Sequence, residues 1–184
     1  MSDPYLAGRP GGRLAVTFPA PTADELELLL RFLQRQREEV VASTEGLNED
    51  QLRWTPDGRL LPIIGVINHL THVEWRWIDG PYGRSPFPPR EEEFAVARDR
   101  STDEVVASYW DRRDRTEEVV RAAPSLDVPC LGREGEGEPL HVLLGMTEPI
   151  DLRWALLHLI EETAHHAGHV DSTREMLDGK KVRP

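Results

Sequence analysis

Glu162, His165, His166 and His169, in the run EETAHHAGHVD, carry groups able to hold a metal or move a proton. Glu162 and His166 are four residues apart, and so are His165 and His169. On a helix that spacing stacks side chains on neighbouring turns, where they can converge on one point. A single pair leaves a metal under-coordinated, because catalytic zinc takes three protein groups and keeps one position for water or substrate. The natural third group stands in Asn68-His69-Leu70-Thr71-His72. His69 adjoins the apolar positions Val66, Leu70 and Val73, and His72 flanks the same face. The spacing alone leaves both open.

The element that must carry the first set is Asp151 to Asp178, which reads as one long amphipathic helix. At about 100° per residue, Leu152, Ala155, Leu156, Leu159, Thr163, Val170, Thr173 and Leu177 share one face. His166 lies inside that stripe, with Glu162 and His169 at its edge, while His165 points to the flank. Carboxylate and imidazole groups on a core-facing stripe must be paired, hydrogen-bonded or metal-bound.

Three further helices are expected. Thr22-Ala-Asp-Glu25 has capping-box spacing and opens a helix that runs to about Thr44. The second follows Pro62, ends at Gly80 and buries Ile63, Val66, Leu70, Val73 and Trp77. Ser101-Thr-Asp-Glu104 offers another capping box for a third helix ending near Ala123, and Asp151 and Gly179 bracket the fourth. Residues 46–52 suggest a short helical turn. Residues 1–20, rich in Gly and Pro, read as an N-terminal arm, leaving residues 21–184 as one domain. The proline-rich, acidic segment Pro81 to Arg100 reads as a surface loop. Between Pro124 and Pro149, Leu126–Leu131 and Leu140–Leu144 read as a short β-hairpin. The expected fold class is all-α, a four-helix bundle with long crossover loops.

A chain of 184 residues fits one domain with a real core. A net charge of -11, with no basic stripe, argues against a nucleic-acid partner. No apolar run approaches the roughly 20 residues of a membrane span, and the N-terminus lacks a secretory pattern, so a cytoplasmic location is the default expectation. Cys130 is the only cysteine, which precludes an internal disulfide.

His69-Leu70 followed by Glu74-Trp75, together with the EETAHHAGHVD run, resembles the DinB-like metal-binding superfamily. The nearest branch in motif is that of mycothiol-dependent maleylpyruvate isomerase and related bacterial thiol transferases. The resemblance spans roughly residues 22 to 179. It implies a divalent metal, zinc or nickel, held between helices by His69, Glu162 and His166, the pair that the helical wheel also favours. It further implies mycothiol or bacillithiol as a thiol co-substrate, a small electrophile as its partner, and a homodimer, for which no left-over apolar stripe stands out.

Plainer readings stand beside these. The three residues could form a hydrogen-bonded polar cluster without metal. His141, His158 and His165 read as surface or packing residues. His169 is the candidate catalytic residue, a proton carrier, because imidazole titrates near neutral pH. Asp171 could orient a ligand imidazole. Cys130 reads as a loop thiol, and Trp75, Trp77, Trp110 and Trp154 as core and pocket wall. Arg153 and Arg174 read as solvated or carboxylate-attracting, and Glu91, Glu92 and Glu93 as a solvated loop. The expected function is thiol-dependent S-transfer or isomerisation at a metal. The alternatives are metal-dependent hydrolysis and a non-catalytic metal-binding stress protein.

Overall fold

The computed structural model describes residues 18–56, 58–83, 86, 90–96, 99–130, 140–143 and 145–182. Most of the expected arm, and residues 131–139 of the expected hairpin, lie outside them. Four long helices form the body: α1 (Glu25–Ala42), α3 (Ile63–Glu74), α5 (Thr102–Ala122) and α7 (Leu152–Asp178). Short helical turns α2 (Glu49–Leu52), α4 (Arg90–Glu93) and α6 (Leu140–Leu143) sit between them. The chain is all-α, as expected.

Local chemistry places the ends. Ser101 and Glu104 form the expected reciprocal capping box at α5. Asp151 Oδ1 accepts from Trp154 N at 2.8 Å, and Gly179 closes α7 at φ 74, a left-handed conformation that glycine adopts without a Cβ penalty. At α1 the cap shifts: Asp24, not Thr22, accepts from the Glu27 amide, and Thr22 Oγ1 instead accepts from Asp24 N. Asp24 keeps the same kind of cap two residues later, where its carboxylate also favours the positive helix end. After Glu74, α3 continues as a π-turn, Trp75–Asp79, which Gly80 closes by donating to Trp75 O at 2.8 Å.

Two hydrophobic cores give the helix directions. One joins Leu30 and Leu33 of α1, Val73 and Trp77, Val119 and Val120 of α5, and Leu152 to Leu159 of α7. The other joins Val40 of α1, Ile63 to Leu70 of α3, Val105 and Tyr109 of α5, and Ala167 and Val170 of α7. α1 and α7 therefore run parallel, and α3 and α5 run together in the opposite direction. α1 packs on α7 and α3 on α5. A parallel pair cannot be joined by a tight turn, so residues 80–101 must travel back along the bundle.

A polar layer separates the cores. Arg37 of α1 and Glu74 of α3, both buried, pair through two hydrogen bonds of 2.7 Å. Glu117 of α5 lies 3.9 Å from Arg37, and Tyr109 and Thr163 are buried alongside. Burial opposes the Arg37 charge, but Glu74 outweighs it and raises the arginine pKa.

Three expectations change. The hairpin is not formed among the described residues: Leu140–Leu143 is a helical turn, and Pro129 makes only an isolated bridge with Asp151. Residues 126–130 instead serve the start of α7, where Leu152 N and Arg153 N donate to Val128 O and Leu126 O. The first amides of a helix lack intrahelical acceptors, so an adjacent extended segment is drawn to them. Arg174 is not solvated but 1% exposed. It donates to Ser43 O at 2.7 Å, satisfying a carbonyl at the end of α1, and grips Asp178 with two bonds. The segment 81–100 is not wholly a surface loop, because α4 buries Glu93.

Removing one partner of the buried pair leaves an uncompensated charge. Glu74→Gln is expected to lower unfolding free energy by about 3–5 kcal/mol, read from urea denaturation. An Arg37→Met/Glu74→Leu double variant should recover much of that loss.

Candidate metal centre

α3 and α7 pack against each other at the rim of the polar layer. His69 projects from α3, and Glu162 and His166 from successive turns of α7. Their ligand atoms all lie within 4.8 Å of one another. Both imidazoles aim at one oxygen: His69 Nε2 and His166 Nε2 are each 3.4 Å from Glu162 Oε1. The two rings meet edge-on at 4.7 Å between centroids. His69 is buried, and Glu162 and His166 are half-buried, so the cluster opens at the bundle surface.

The spacing fits an ion. A direct N–H···O bond prefers about 2.9–3.0 Å, whereas two ligands about 2.0–2.1 Å from a tetrahedral zinc stand about 3.3–3.4 Å apart. Two neutral imidazoles and one carboxylate are a zinc-type donor set. Glu162 is held in the charged form this requires. Hydrogen bonding to His166, then His69, keeps its carboxyl well below the usual carboxylate range despite partial burial.

The other candidates go elsewhere. His72 Nδ1 lies 2.8 Å from Asn68 O, one turn back on its own helix. His165 is exposed. His158 packs on Trp77 and Trp154, with ring centroids 4.2 and 5.4 Å away, and burial lowers its pKa. His169 stacks behind His166 at 6.2 Å, one turn from the donors. Asp171 does not orient a ligand; its Oδ1 accepts from Val182 N at 2.6 Å and fastens the C-terminal segment. Arg153 bonds to Glu25 and Asp127 on the surface. Cys130 is buried in the core beside Tyr82, whose hydroxyl pKa burial raises. Trp77 is core and Trp154 packs against it, whereas Trp75 lies under Arg112 and Trp110 stacks on Tyr109.

Glu93 was missed. Expected in a solvated run, it is 1% exposed, with Oε1 2.9 Å from His69 Nδ1. Arg76 pairs with both of its oxygens. The available signal was Arg76 itself, seven residues after His69 and so near the same helix face. An inward arginine needs a carboxylate. Phe94, the next residue, stacks on the His69 ring at 5.4 Å and lines an open cavity of about 760 Å³.

The fold and site together define a helical bundle with a His-Glu-His cluster, a candidate metal centre, between two of its helices. Residues 28–179 match the model of the mycothiol S-transferase family, and the chain belongs to that family, a branch of the DinB-like superfamily. No curated protein matches the chain. No helix among the described residues is long and apolar enough to cross a membrane.

His69→Ala and His166→Ala should each abolish stoichiometric metal binding, while His165→Ala should keep it. Elemental analysis of the purified variants checks this, and equal metal in wild type and His166→Ala would defeat the assignment.

Proposed function

We propose that this chain is a metal-dependent mycothiol S-transferase, with a divalent ion, zinc before nickel, held by His69, Glu162 and His166. The observation that carries the reading is the convergence of both imidazole Nε2 atoms on Glu162 Oε1 in a chain of the mycothiol S-transferase family. The family name describes S-transfer, so it favours that chemistry over hydrolysis and over a purely structural metal site.

When bound, such an ion supplies the Lewis acidity that makes a thiol lose its proton near neutral pH. The residues supply everything else. Glu162 brings negative charge, and His69 and His166 bring lone pairs, from helices that the bundle holds rigid. The half-buried edge of the cluster leaves room for a thiol sulfur to approach from solvent. The thiolate sulfur then forms a bond to an electrophilic carbon, and the leaving group departs with the bonding electron pair. His169, stacked behind His166, carries the proton between thiol, leaving group and solvent. Homodimerisation belongs to the same reading and rests on the family alone.

Consumption of a test electrophile by the zinc-loaded protein should require mycothiol; turnover without thiol would favour hydrolysis instead. His169→Phe should retain metal and lower kcat by about 10²-fold or more, measured at saturating thiol.

A further inference from the structure

Glu93 is a buried carboxylate that the scheme above does not use. Its position is built from both ends. Asn68, the residue before His69, donates from Nδ2 to Glu92 O at 2.7 Å and Glu93 O at 3.1 Å, tying the α4 backbone to α3. Arg76, on the π-turn that continues α3, holds the carboxylate through both oxygens. The result sets Glu93 Oε1 2.9 Å from His69 Nδ1, while the other ring nitrogen, Nε2, faces Glu162. Both Nδ1 atoms, of His69 and of His166, are buried without a well-aligned hydrogen bond among the described residues, but that of His69 has a carboxylate oxygen 2.9 Å away.

We propose that Glu93 is a positioning residue for His69: its carboxylate, 2.9 Å from Nδ1, needs only a small turn of the ring to accept the Nδ1–H and so present the Nε2 lone pair to the ion site. A neutral imidazole carries one proton, and the nitrogen that donates decides which one is left to coordinate. A carboxylate at Nδ1 also makes the ring a better donor at Nε2 and restrains its rotation. Arg76 gives the buried Glu93 side chain a charged partner at both oxygens, where an isolated carboxylate would be costly. Phe94, stacked on the ring face, adds a steric restraint. The inference rests on the metal reading for its purpose, but the tautomer it assigns belongs to the metal-free protein.

The experiment therefore has two readouts. Two-bond nitrogen–proton NMR of the metal-free protein reads the His69 tautomer, and chelator competition reads zinc affinity. Wild type should show His69 protonated at Nδ1. Glu93→Ala should mix the tautomers and weaken zinc binding about 10- to 100-fold. Glu93→Gln, whose amide oxygen can still accept, should fall between them, and it serves alone if the alanine variant does not fold. Comparing Arg76→Met with Arg76→Met/Glu93→Ala removes the effect of an unpaired arginine; the added substitution should still weaken zinc. An unchanged tautomer and zinc affinity with only a lower Tm would overturn the proposal, leaving Glu93 a packing residue. Absence of zinc binding in wild type would refute the ion site, while the tautomer would still decide the role of Glu93.

Discussion

The bundle depends on a buried ion pair. Arg37 and Glu74 are both hidden from solvent and joined by two short bonds, between two otherwise apolar cores. An ion pair in such a setting does little for net stability, because desolvation offsets most of the attraction. Its effect is on register. Sliding α1 past α3 by one turn would strand both charges, so the pair selects one alignment among many that an apolar core would tolerate. Glu117, Tyr109 and Thr163 bring α5 and α7 into the same layer.

That layer is also where the candidate centre lies. Thr163 points into it from α7, and Glu162 and His166 flank it on the same helix. On α3, Glu74 occupies the layer, and His69 stands just over one turn earlier. Once Glu74 is set against Arg37 and Thr163 against Tyr109, His69 has little freedom relative to Glu162. Helix register thus sets up the two 3.4 Å approaches to Glu162. A site built on rigid helices keeps its geometry with or without a ligand, which suits catalysis by positioning.

The parallel arrangement of α3 and α5 has a second consequence. The chain leaves α3 at one end of the bundle and must re-enter α5 at the other, and α4, within that connection, lies against α3. There Asn68 captures the backbone of Glu92 and Glu93, and Arg76 captures the Glu93 side chain. A connection that topology forces to be long thus brings a carboxylate and an aromatic ring to His69. Insertions in surface crossovers cost little closure entropy, and function is readily placed on them.

Much of this was legible in the residues alone. The four long helices, the caps at Ser101, Asp151 and Gly179, the buried face of α3 and the inward placement of Glu162 and His166 all follow from local signals. Helical period and capping are set within one element, by residues no more than a few turns apart. The Glu93 contact, the burial of Arg174 against Ser43, the use of Asp171 by Val182 and the fate of residues 126–130 did not follow. Each of those pairs an element with a distant partner, and charge in a run such as Glu91 to Glu93 carries no mark of which member turns inward. Composition and spacing determined what groups each helix could offer and on which face. Only the tertiary structure decided which offers met, because burial and partner distance arise when elements separated along the chain pack together.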